Sequence, residues 1–175
     1  MSGHQVTQGV GTAPKARVFD RVGFVEAFGT CFRNGDLIAG RAFDAAVVPL
    51  EDAGSIFAAL RDQFRAASDT ERMEVLRAYT PLDPAVKTAE IVADESQSSG
   101  LRAMTAGQQA RLLELLPRYT EKFGFDVIFA VRKYTTASLI VSFEKRILDS
   151  YEAELKTTFA EVEQLAEILV KARFL

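Results

Sequence analysis

The chain has 175 residues, 48% of them hydrophobic and 26% charged, and a formal net charge of -3. This suits one domain large enough to bury a full core, and it argues against general nucleic-acid binding, which needs a basic surface to displace counterions. No apolar run reaches the length of a membrane span and the amino terminus has no signal-peptide core, so no membrane partner is expected and a cytoplasmic setting is the simplest expectation.

The segment 1–17, MSGHQVTQGVGTAPKAR, is rich in Gly, Ser, Thr and Gln and has no apolar period. It reads as a flexible leader ahead of one domain spanning 18–175. It also holds His4, the only histidine in the chain. Ser-His-Asp, Cys-His and His-ligated metal sites therefore lack a residue in the folded body, and no metal is expected. Cys31 is the only cysteine, which excludes an intrachain disulfide and a multi-cysteine metal site. Acid-base chemistry must fall to Glu, Asp, Tyr, Lys or Cys.

From Val18 onward the apolar period is mostly helical. Asp20 caps a short helix with Phe24, Val25 and Phe28, ending near Gly29. DLIAGRAFDAAVV is a weaker helix, interrupted at Gly40 and stopped before Pro49. Ile56, Phe57, Leu60 and Phe64 form a stripe on a helix from about Glu51 to Ala67. Thr70 caps the next helix, which ends at the Tyr79 turn in 75-VLRAYTPLDP-84. Asp83-Pro84 opens another, and Ala93 or Asp94 a short one through Leu101. Thr105 caps a longer helix carrying Leu112, Leu113, Leu115 and Leu116, which Pro117 should kink or divide. Gly124 reads as its C-cap.

The run 125-FDVIFAV-131 is strand-like, but a lone strand makes no sheet, so it reads as an extended, buried crossing between helices. Thr135 or Thr136 then caps a helix through Leu148. Ser150 caps the last, with a stripe of Leu155, Phe159, Val162, Leu165 and Leu169. The expected fold is all-α: a single-domain bundle of about eight helices with one short extended segment.

Taken singly, the polar candidates have plain explanations. Glu95 in 94-DESQSSGL-101 fits a solvated helix-start carboxylate favoured by the helix dipole. Arg146 in 143-FEKRIL-148 fits a surface arginine. Cys31 continues an apolar stripe begun at Phe28 and has no histidine to activate it, which suits core filler. The charged blocks EAELK and EVEQLAE read as exposed faces of the last helix.

In order, however, LRAYTPL, ADESQSSGL, YTEKFGFDVIFAVRK and SFEKRIL resemble the 2-oxo-4-hydroxy-4-carboxy-5-ureidoimidazoline (OHCU) decarboxylase family, from about Phe24 to Leu175. The resemblance implies an all-helical, cofactor-free protein acting on a small-molecule substrate. Family members release carbon dioxide on the route from urate to (S)-allantoin, and they are often dimeric, which leaves a homodimer open. In the family pattern a helix ends in "R-A-H-P-x-L", whose histidine is taken as the acid-base group. Here Tyr79 stands at that position, and proline has moved one place along, to Pro81. Glu95 matches the family glutamate, Ser96 replaces its glutamine neighbour, Val92 replaces a serine, and Leu116 an asparagine. Arg146 matches the arginine of "F-x-x-R-L".

The resemblance thus implies a cavity with Tyr79, Glu95 and Arg146 as the catalytic set. Phe125, Val127, Ile128, Phe129, Leu116 and Ser96 would contact the substrate. Arg146 offers a planar fork of donors suited to a carboxylate, at the rim or base of the cavity and at little expected cost to stability on removal. Glu95 could serve as a base if burial raises its pKa. Tyr79 is a poor neutral-pH substitute for imidazole, because a phenol ordinarily titrates near 10. Three readings stay open: a divergent carbon-carbon lyase or proton-transfer enzyme with the ancestral reaction impaired, a genuine OHCU decarboxylase, and a non-catalytic binding protein on the same scaffold.

Overall fold

A computed structural model describes residues 19–80 and 104–175. Among them are seven α-helices and no strand: α1 (Arg21–Phe28), α2 (Asp36–Ala45), α3 (Ala53–Ala66), α4 (Asp69–Arg77), α5 (Ala106–Phe123), α6 (Thr136–Arg146) and α7 (Tyr151–Ala172). Single 3₁₀ turns lie at Gly29–Cys31 and Val131–Lys133. The fold is all-α, as expected. The leader and the helices expected from Asp83-Pro84 and through Leu101 lie outside the described residues, and with them Glu95 and Ser96.

Helix starts follow local chemistry. Asp20 accepts a hydrogen bond from the Gly23 N–H at 2.7 Å, and Thr105, Thr135 and Ser150 each accept from the backbone three residues on. Each cap satisfies one of the donors that a helix end leaves open. α4 starts earlier than the sequence suggests: its cap is Ser68, not Thr70. Ser68 and Glu71 form a reciprocal capping box, with the Glu71 carboxylate accepting the Ser68 N–H at 2.9 Å.

Two expected breaks are absent. α2 runs through Gly40, because burial of Ile38, Ala39 and Ala42 outweighs the roughly 1 kcal/mol a helical glycine costs. α5 runs through Pro117, where the orphaned carbonyl belongs to Leu113 on the exposed face, within reach of water. Gly124 does cap α5, at φ 75°, with its N–H donating to the Thr120 carbonyl at 2.8 Å.

α1 packs on α2, α2 on α3, α3 on α7 and α5 on α6, while the Gly29–Cys31 turn reaches α7. The core is aromatic. Phe32 stacks on Phe64 at 4.7 Å between centroids, and Phe64 meets Phe159 of α7 edge-on. Toward the other end, Tyr119 of α5 sits among Phe123, Phe125 and Phe143. Each fully buried ring contributes on the order of 2–3 kcal/mol by leaving water. Cys31 is buried in this core, and burial pushes its thiol pKa up, against reactivity.

Candidate functional site

The site is built on the crossing between α5 and α6. Residues 126–130 belong to no helix and pair with no strand, and Phe125, Val127, Ile128, Phe129 and Ala130 are all buried. A buried segment without a ladder must satisfy its backbone in another way. Here buried charged side chains do so. The Ile128 carbonyl accepts from Nη1 of Arg146 at 2.8 Å, and the Ala130 N–H donates to Oε2 of Glu161 at 2.7 Å. Two groups of this backbone are thereby committed to side chains of α6 and α7.

Arg146, at the end of α6, is an interior residue with 3% exposure, not a surface arginine. Its Nε and Nη2 donate to Oε1 of Glu154 at 2.9 and 2.6 Å, and Nη2 also reaches the Thr158 hydroxyl at 3.2 Å. The guanidinium lies over the Phe129 ring, 4.5 Å from its centroid. Four hydrogen bonds engage four of the five N–H groups a guanidinium carries. Burial alone would push the Arg146 pKa down; the hydrogen-bonded Glu154 carboxylate reverses this and holds it above its ordinary value.

Glu154 is fully buried, and it also accepts from the Tyr119 hydroxyl. Burial, then the Glu154 carboxylate, raises the Tyr119 pKa. One turn-pair along α7, Glu161 is buried as well and accepts from the Tyr134 hydroxyl besides Ala130. Tyr134 is pushed up to about 12, by burial first and by Glu161 second. Both phenols therefore stay neutral donors at ordinary pH.

These two glutamates correct the reading of EAELK and EVEQLAE as exposed faces. The buried face of α7 is Glu154, Thr158, Glu161, Val162, Ala166 and Val170, while Leu155, Phe159, Leu165 and Leu169 flank it half-buried. The signal was available: Glu154, Thr158, Val162, Ala166 and Val170 follow one another at i+4, a continuous helical stripe.

Tyr79 stands just past the end of α4, half-buried against the core, with the Arg33 guanidinium 5.8 Å from its ring centroid. Leu116 is half-buried on α5. The structure thus brings Arg146 together with Ile128 and Phe129, whereas the contact described for Tyr79 is with Arg33. Among the described residues no cluster of three or more His, Cys, Asp or Glu side chains could hold a metal ion, and no helix is long and apolar enough to cross a membrane.

Known proteins resemble this chain along most of its length. An OHCU decarboxylase of Haloferax volcanii is 25% identical over 163 residues, covering 93% of this chain and 96% of that protein. A uric acid degradation bifunctional protein of Bacillus sp. (strain TB-90) is 25% identical over 143 residues, but the chain spans only 28% of its length. In fold, the chain matches an OHCU decarboxylase solved in the presence of (S)-allantoin, with TM-score 0.67 and 19% identity, over 84% of this chain and 96% of that one. It matches an (S)-allantoin synthase with TM-score 0.71 and 18% identity, over 89% of this chain and 51% of that one. The OHCU decarboxylase family pattern itself matches residues 18–169, and the chain belongs to that family.

Proposed function

We propose that this protein is a divergent, cofactor-free lyase or proton-transfer enzyme acting on a small carboxylated or heterocyclic substrate, with OHCU decarboxylation strongly reduced. One observation carries the reading: α4 gives way to Tyr79 where the family pattern has its histidine, and the sole histidine of the chain is His4. A phenol holds its proton at neutral pH, so Tyr79 can donate a hydrogen bond but cannot exchange protons as imidazole does. The substrate would lie beside residues 125–131, with Leu116 making the pocket more apolar than an asparagine would. Glu95 would act as the base, with Ser96 beside it. Arg146 would sit at the base of the pocket and offer its remaining N–H to a ligand oxygen. Near-complete mutual coverage with the Haloferax volcanii decarboxylase favours a second reading, a genuine OHCU decarboxylase relying on Glu95 and Arg146.

Freshly generated OHCU, with (S)-allantoin followed by circular dichroism, separates the two. Loss of a positioned acid-base group costs about 10²–10⁴-fold in rate, and that deficit is expected relative to a histidine-bearing family member. An ordinary family rate would establish the second reading. A thermal-shift screen of small heterocyclic acids then searches for the preferred ligand, since a bound ligand raises stability with its occupancy.

A further inference from the structure

The crossing segment is held on both sides of one residue. Arg146 takes the carbonyl before Phe129, that of Ile128, and Glu161 takes the N–H after it, that of Ala130. Phe129 itself is 6% exposed, and its own N–H and C=O engage no hydrogen bond among the described residues. Its ring is fixed between Arg146, Tyr134 and Phe143. Two peptide planes flanking an uncommitted pair of backbone groups determine where that pair points.

We infer that Glu161 is a positioning residue: by holding the Ala130 N–H from one side while Arg146 holds the Ile128 carbonyl from the other, it orients the Phe129 backbone toward the substrate. The side chain is suited to the task. It is 3% exposed, comes from the middle of the 22-residue α7, and uses one oxygen for Ala130 and the other for the Tyr134 hydroxyl. Tyr134 thereby fixes the rotation of the carboxylate, and Glu161 touches no substrate. Without it the buried Ala130 N–H would lack an acceptor, so the same contact that satisfies this donor also fixes the direction of its peptide plane.

The inference rests on the functional reading above, which puts the substrate beside residues 125–131. Two variants isolate the contact. Glu161→Gln keeps an acceptor for Ala130 and can donate its amide to the Tyr134 oxygen; Glu161→Met keeps the volume and loses the acceptor. Should Glu161→Met fail to fold, Glu161→Asp withdraws the oxygen by one methylene and replaces it with the same expectation. Amide hydrogen exchange in the ligand-free protein is read at Ala130, with Leu139 and Gly124 as references because both donate within other elements. The expected result is a loss of protection at Ala130 of about tenfold or more beyond that of the references in Glu161→Met, and little in Glu161→Gln. A uniform loss across all three amides, or none, overturns the positioning role. In the second measurement (S)-allantoin is titrated into each variant. Binding weakened about tenfold or more in Glu161→Met and kept in Glu161→Gln supports it; equal binding in both overturns it. Failure of the unaltered protein to bind (S)-allantoin counts against the second reading, a genuine OHCU decarboxylase, and the exchange result then decides the positioning role alone.

Discussion

Arg146 and Glu154 form a buried ion pair, with Nη2 and Oε1 2.6 Å apart and side-chain exposures of 4% and 0%. Residues eight apart in sequence meet because the chain turns between α6 and α7, at Ile147 to Ser150. The pair lies under the crossing segment, and through it a loop backbone is tied to the longest helix. The sequence reading expected Arg146 to be removable at little cost. The geometry reverses that.

Removing either partner leaves an unpaired charge in the core, which typically costs about 3–5 kcal/mol. Arg146→Met and Glu154→Leu should each destabilise the protein by that order in urea denaturation. The double variant should cost clearly less than the two combined, because no uncompensated charge remains. Additive losses would show that the two side chains act independently.

Two glycines carry unequal burdens. A Cβ on Gly124 meets nothing within 4 Å, so Gly124→Ala is charged only for its φ of 75°, about 1–2 kcal/mol. At Gly35 a Cβ would lie 2.6 Å from the carbonyl oxygens of Gly29 and Phe32. Backbone cannot swing aside as a side chain can, so Gly35→Ala should be the more destabilising of the two. Thermal melts in parallel check the order.

What the sequence made legible was local. A cap such as Asp20 or Thr105 needs only its own helix start, and Gly124 only its own φ, so they could be placed without knowing the fold. The buried charges of α7 depend on partners from α5, α6 and the crossing segment, and Glu154 looks like any surface glutamate until Tyr119 and Arg146 meet it. Apolar residues alone drew the helix face, so its centre was placed on Leu155 and Phe159 and not on the stripe beside them. The resemblance supplied what periodicity could not, the relation of Arg146 to the segment after Gly124.

Acid should expose one exposed but well-held carboxylate. Glu71 is depressed to about 2, chiefly by the hydrogen bond from Arg41 and then by the backbone N–H of Ser68. Its folded pKa lies below the unfolded value of about 4.3, so its contribution is fully present above that value. The contribution fades as pH falls from there through about 2. Glu71→Gln keeps the capping box but loses the charge. It should lower the melting temperature slightly at pH 7, and the difference from the unaltered protein should close as pH approaches 2. A difference constant with pH would mean that the carboxylate charge contributes nothing.

The sharpest chemical test restores the imidazole. Tyr79→His puts a group with an ordinary pKa near 6.5 at the end of α4, where the family pattern has it. The Arg33 guanidinium, 5.8 Å from the present ring, would favour the neutral form that can accept a proton. The volume falls a little at a half-buried position, so folding should be kept. If the missing histidine is what limits decarboxylation, Tyr79→His should raise (S)-allantoin formation from OHCU by about tenfold or more. The gain should stay below the full 10²–10⁴-fold typical of an acid-base group, because Leu116 and Val92 still stand where the family pattern has polar side chains. A bell-shaped or sigmoidal pH dependence near neutrality should appear with the gain, reporting titration of the new group. Tyr79→Phe is the control: it removes the hydroxyl without supplying a base and should show neither effect. A folded Tyr79→His protein no faster than the parent would place the block elsewhere in the pocket and remove the main support for divergence at this position.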